Sequence, residues 1–156
     1  MTKKVNLPVL TPPDRKPSID AARARLGGTA QGHAMPPGLA PGVVVRFEED
    51  GEGVVIFASI VEVHVLLDPS RMRRFAPADL VVHEGAHGFA ELATDAHIFG
   101  MLHDGQAIRY AVDGGTMVDG IVAEKCRWGA LVRRDDATVV AVGFRKLWPR
   151  AAAELA

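Results

Sequence analysis

The chain has 156 residues, 48% of them hydrophobic and 24% charged, with a formal net charge of -1. That allows one domain or two very small ones with a real core, and it argues against a dedicated nucleic-acid binder, which carries a basic excess. The single cysteine, Cys126, excludes an intramolecular disulfide, and no apolar run approaches the ~20 residues of a membrane span.

Residues 1–42 differ in composition from the rest. They hold seven of the ten prolines, together with Gly27, Gly28, Gly32, Gly38 and Gly42. Such a stretch reads as an extended, proline-rich N-terminal arm, too poor in apolar area to offset its ordering entropy. One island within it predicts a short helix near 18–26. Ser18 would cap its start, Asp20 would sit in the first turn, Arg23 and Arg25 would suit its C-terminal end, and Gly27 would stop it. Met1 to Pro8 contains no apolar stretch long enough for a signal peptide. The expected location is the cytoplasm or the interior of a macromolecular assembly.

From Val43 the pattern changes to strands. Val43–Phe47, Val54–Phe57 and Ile60–Leu67 are β-branched and apolar, and Asp50-Gly51 and Asp68-Pro69-Ser70 are turn signals between them. Arg71–Phe75 predicts a short strand and Ala76–Leu80 a tight helical turn. Residues 81–104 read as a connecting segment. A second set follows over 105–150, with strands at Ala107–Val112, Met117–Lys125, Gly129–Arg133 and Thr138–Phe144, and a closure at Leu147-Trp148-Pro149. Residues 151–156 read as a short tail.

The two blocks, 43–80 and 105–150, share a layout. Arg46-Phe47 matches Arg109-Tyr110, Gly51-Glu52-Gly53 matches Gly114-Gly115, and Phe75–Leu80 matches Phe144–Leu147. Strand, turn, strand, strand, turn, strand and a one-turn closure is the order of a small SH3-like barrel. The expected fold is mainly β, with two small SH3-like, β-barrel-like units in tandem.

One motif carries chemistry. His83-Glu84-Gly85-Ala86-His87 matches H-E-x-x-H. On a helix the two histidines would sit one turn apart on the same face, where they could hold zinc while Glu84 activates the bound water. In this pattern the chain resembles the zincin metallopeptidases, over about a dozen residues. The resemblance implies a small zinc-dependent hydrolase, with His83 and His87 as ligands and Glu84 as the catalytic base. A third ligand would come from Asp95, His97 or His103, with His97 the one taken. The sequence departs from the family pattern. Gly85 and Gly88 fall inside the required helix, and Ala90 and Ala93 stand where the extended motif has Gly and His. The other reading is a solvent-facing loop or short helix between the β blocks, with no cofactor.

Basic residues supply the remaining candidates. Arg71, Arg73 and Arg74 could contact an acidic partner or phosphate, or could simply protect an edge strand from aggregation. Trp148 lies near Arg145, Lys146 and Arg150, an arrangement that could stack on a base but also suits a core position at a barrel closure. Cys126 lies between Lys125 and Arg127, which would favour its thiolate unless the side chain is buried in a strand.

The preferred expectation is a non-catalytic structural or adaptor protein that meets protein partners, or further copies of itself, through its arm and its β body. A compact β body with an arm is a plan similar to that of virion- and capsid-associated proteins. A nucleic-acid-associated SH3-like module is the third reading.

Overall fold

In the computed structural model, residues 15–150 are described. The tail expected over 151–156 and the first fourteen residues of the expected arm lie outside that range.

The chain is mainly β. Helix α1 (Arg15–Arg25) is followed by β1 (Val44–Phe47), β2 (Gly51–Ala58), β3 (Val63–Asp68), β4 (Arg71–Phe75) and β5 (Val81–Val82). Helix α2 (Ala90–Gly100) leads into β6 (Ala107–Ala111), β7 (Met117–Lys125), β8 (Gly129–Arg133), β9 (Val139–Gly143) and β10 (Leu147–Pro149). The strands form two separate five-stranded antiparallel sheets, ordered β4-β3-β2-β1-β5 and β10-β6-β7-β8-β9. Counting strands within each sheet, the order is the same. A single 3-10 turn, Pro77–Asp79 or Phe144–Lys146, precedes the last strand of each.

The turn residues dictate the hairpins. Phe47 pairs with Gly51 across the β1–β2 turn, where Glu48 takes a positive φ of 57°. The β6–β7 turn is closed by Asp113–Gly115, with Gly114 at φ 86° and Gly115 at φ 82°. Asp50-Gly51 and Asp113-Gly114 thus fall at the same point in the two strand orders.

Alternation along the strands divides the core. Val54 and Ile56 of β2 join Ile108, Val122 and Val132 of the second sheet in one cluster, which also takes Leu92, Ala96 and Phe99 from α2. Val55 of β2 faces the other way, into a cluster with Val45, Phe47, Val63, Val65 and Leu80. A third cluster, Ala22, Leu26, Cys126 and Leu131, lies beneath α1. The first cluster couples the sheets, because each supplies part of the same buried volume.

Within the segment expected as an arm, the helix packs against the second sheet. Ala22 and Leu26, one helical turn apart, pack on Leu131 of β8. The Arg23 guanidinium holds Glu124 of β7 with two bonds of 2.8 and 2.9 Å. The helix also begins earlier than expected, at Arg15, so Ser18 lies inside it rather than capping it and Asp20 is past the first turn. Its end is as the glycines dictate. Gly28 N–H bonds to the Arg23 carbonyl and Gly27 N–H to that of Ala24, with both glycines left-handed.

The segment expected merely to connect the β blocks contributes to both. Val81 and Val82 pair with Arg46 and Val45 as the fifth strand of the first sheet. Helix α2 then inserts Leu92, Ala96 and Phe99 into the shared core, at spacings of four and three.

Candidate functional site

The H-E-x-x-H residues lie in irregular backbone between β5 and α2, which begins only at Ala90. The helix over 80–92 that the zinc reading requires is not formed, and Gly85 and Gly88 supply the physical reason. His83 Nε2 lies 3.0 Å from the Ala86 carbonyl and 3.2 Å from Glu52. His87 Nδ1 accepts the Phe89 backbone N–H at 3.0 Å, and the two imidazole centroids are 6.4 Å apart. Glu84 is exposed. His97 is exposed on α2, Asp95 is paired with Arg145 at 2.8 Å, and His103 bonds to the Asp104 carbonyl. Among the described residues no three of His, Cys, Asp or Glu converge to hold a metal ion.

The arginines of β4 do not act as one cluster. β4 is the terminal strand of its sheet, so a charged edge is in place there. Arg73 lies over the Phe47 and Phe75 rings, 5.5 and 4.8 Å from their centroids, and reaches Glu48 at 3.2 Å. Arg74 stands opposite His64 in the β3–β4 register, and Arg71 is tied to Asp68. Trp148 is half-buried on β10, opposite Arg109.

Arg71 does open onto a concavity, a groove of about 790 Å³ where the two sheets and the end of α1 meet. Its walls carry Arg25, Arg71, Arg134, Arg145 and Lys146, with Asp113 as the one acidic residue among the described residues of the lining. Carboxylates outside the lining hold two of these cations, Asp68 for Arg71 and Asp95 for Arg145. Arg25, Arg134 and Lys146 are exposed and, among the described residues, form no ion pair with a carboxylate, though the Arg134 charge helps to lower the Asp136 pKa. The apolar lining includes Leu66, Met72, Tyr110, Val142 and Phe144. Tyr110 and Phe144 are 4% and 7% exposed, so their rings serve as packed floor rather than open platforms.

A buried polar chain runs behind this groove. His64 is fully buried on β3. The Trp128 indole N–H donates to His64 Nδ1 at 2.8 Å, which leaves the imidazole proton on Nε2, 3.0 Å from the Glu62 carboxylate. Burial pushes the His64 pKa down against the opposing pull of Glu62, and protonating Nδ1 would also set two N–H groups against each other. The His64 hydrogen bond holds the Glu62 carboxyl below its usual range. Glu62 lies 3.7 Å from Arg127, whose guanidinium sits 4.8 Å from the Phe57 ring centroid and donates to the Thr29 carbonyl.

Arg127 lines a second concavity, about 440 Å³, together with His33, His103 and Lys125. The Lys125 ammonium donates to the Gly100 carbonyl at 2.8 Å over the Phe99 ring, and burial lowers its pKa. Cys126 is wholly buried, and burial pushes its thiol up to about 11, so its basic neighbours do not yield a reactive thiolate.

Sequence reasoning singled out Arg71, and Arg145 and Lys146 beside Trp148, but neither Arg134 nor the groove that joins them, nor the pair His64 and Trp128. One usable signal was His64 itself, a single imidazole inside the apolar run Val63–Leu67. Its partner is 64 positions away and invisible to local pattern. No family model matches the chain, and no curated protein or solved structure matches it either.

Proposed function

We propose that the chain is a non-catalytic structural or adaptor protein, two SH3-like units in tandem, that joins a larger assembly by docking a protein partner in the groove between its sheets. The SH3-like description draws on the common strand order and on the 3-10 turn before each final strand.

The observation that carries the function is the groove itself. Its size suits a ligand or a peptide segment, and it combines an apolar lining with convergent charged groups. Among the described residues its lining is dominated by arginine and apolar side chains, which suit binding. Fixed cations around packed apolar residues recognise and hold.

The test uses the whole chain, tagged, in its host. Size-exclusion of a gentle extract should place it at a mass well above that of the free chain. Arg134→Glu with Lys146→Glu should move it to the free position without lowering its melting temperature, since both side chains are exposed. Elution of the unaltered chain at its own mass, or no shift in the double variant, would refute the proposal.

A further inference from the structure

We infer that the occupant of the groove is an acidic, extended polypeptide segment in which carboxylate side chains alternate with apolar ones. This rests on the adaptor reading and names the chemistry of its partner.

The charge comes first. Five cations border the groove, and three of them make no ion pair with a carboxylate among the described residues, although the Arg134 charge also acts on Asp136. The chain as a whole carries -1, so this concentration of positive charge is local. A wall in which cations outnumber carboxylates steers and orients an anionic partner. Arginine predominates over lysine here, and its planar fork matches a carboxylate with two parallel hydrogen bonds.

The lining decides between a peptide and a nucleic acid. Single-stranded nucleic acid is held by stacking on open aromatic faces, each base using one. Tyr110 and Phe144 present almost no surface. Trp128 is half-buried, and its indole N–H is committed to His64. The apolar lining that keeps accessible surface, Met72, Val112, Val140 and Ala141, suits aliphatic side chains rather than bases or sugars.

The backbone argues for an extended occupant. Met72 lies on β4 and Val140 and Val142 on β9, the terminal strands of the two sheets, and both strands border the groove. A terminal strand has an outer row of N–H and C=O groups that its own sheet leaves unpaired. A segment lying along such an edge gains main-chain hydrogen bonds and turns alternate side chains to opposite sides. One set then meets the apolar lining, and the other meets the cations.

The experiment follows the anisotropy of dye-labelled probes titrated with the full chain. The probes are an extended peptide alternating glutamate with leucine, the same peptide with lysine for glutamate, and oligodeoxythymidylate. The glutamate–leucine peptide should bind, weaken with added salt, and lose about tenfold or more in affinity with Arg134→Glu and Lys146→Glu together. Met72→Asp should also weaken it, by placing a carboxylate on the apolar lining, and circular dichroism checks that each variant is folded. Binding of oligodeoxythymidylate at equal or higher affinity, equal binding of the lysine peptide, or indifference to the charge reversal would overturn the inference. If the glutamate–leucine peptide fails while the double variant still leaves its assembly, the acidic segment is wrong and the adaptor reading stands. If the variant also stays in place, both fall.

Discussion

The two sheets share a strand order and a common core, yet their outer faces are closed differently. The first sheet closes on itself. Val45, Phe47, Val55, Val63, Val65 and Leu80 come from its own strands and from the 3-10 turn before its last strand, with Leu39 added from the preceding loop. The second sheet borrows its cover. Leu131 and Cys126 are roofed by Ala22 of α1 and by Leu26 just after it, from the opposite end of the sequence. The Trp128 backbone N–H bonds to the Leu26 carbonyl, and the Ala30 N–H to that of Lys125. One strand plan can therefore be completed by local or by distant chain. The borrowed roof has a consequence, since it places Arg25 at the rim of the groove.

The sharpest way to break the comparison is to attack what the sheets share. Phe99 is 1% exposed and sits in the common core. Phe99→Ala should cost about 3–5 kcal/mol, and both sheets should be lost in one calorimetric transition. Two separate transitions would mean that the sheets are independent.

The borrowed roof is tested next by two adjacent glycines. Gly27 and Gly28 have φ of 85° and 90°, so alanine is strained at either position. A side chain at Gly27 would also meet the Trp128 ring at 2.7 Å, whereas one at Gly28 would meet nothing within 4 Å. Gly28→Ala should cost about 1 kcal/mol. Gly27→Ala should cost clearly more and shift the tryptophan emission. Equal costs by denaturant titration would show that the Trp128 contact is dispensable.

The strands and their turns were legible because their signals are local. Runs such as Val43–Phe47 and Gly129–Arg133 announce themselves, and Asp50-Gly51 and Asp113-Gly114 mark the hairpins. Helix α2 was legible in principle through Leu92, Ala96 and Phe99, but the histidine motif just before it suggested a helix starting a turn or more too early. The docking of the helix within segment 15–42 was not legible, for a physical reason. The segment's composition cannot support a core alone, and the residues that bury Ala22 and Leu26 lie about a hundred positions later. The groove was hidden for the same reason, since Arg25, Arg71 and Arg134 are brought together only by the fold.

A smaller effect distinguishes the interior between the sheets. His64 is held neutral, with its folded pKa below the ordinary value of ~6.5. A depressed histidine contributes stability that is fully present above the unfolded pKa. That stability is lost as pH falls below ~6.5 toward the folded value, because the unfolded chain takes up the proton first. Glu62 pulls the ring toward its charged form, while Arg74 and Arg127 oppose it. Stability by urea titration should fall from pH 7 to pH 5, and His64→Phe should flatten that slope. An unchanged slope in the variant would assign the loss to other groups.

The smallest effect concerns Cys126, where no change in stability is involved. With its thiol near 11 and fully buried, it should react with an aromatic disulfide reagent at pH 8 only after denaturant is added. Rapid reaction in the native protein would mean that the roof opens there.

The most direct measurement of the groove's role is site-specific photo-cross-linking in the host, with a photoreactive residue at Met72 on the groove lining or at the exposed Thr116 outside it. Cross-links to a discrete partner from position 72, absent from position 116 and abolished by Arg134→Glu with Lys146→Glu, are expected. Equal cross-linking from both positions, or cross-links from 72 that survive the charge reversal, would contradict the groove as the docking surface.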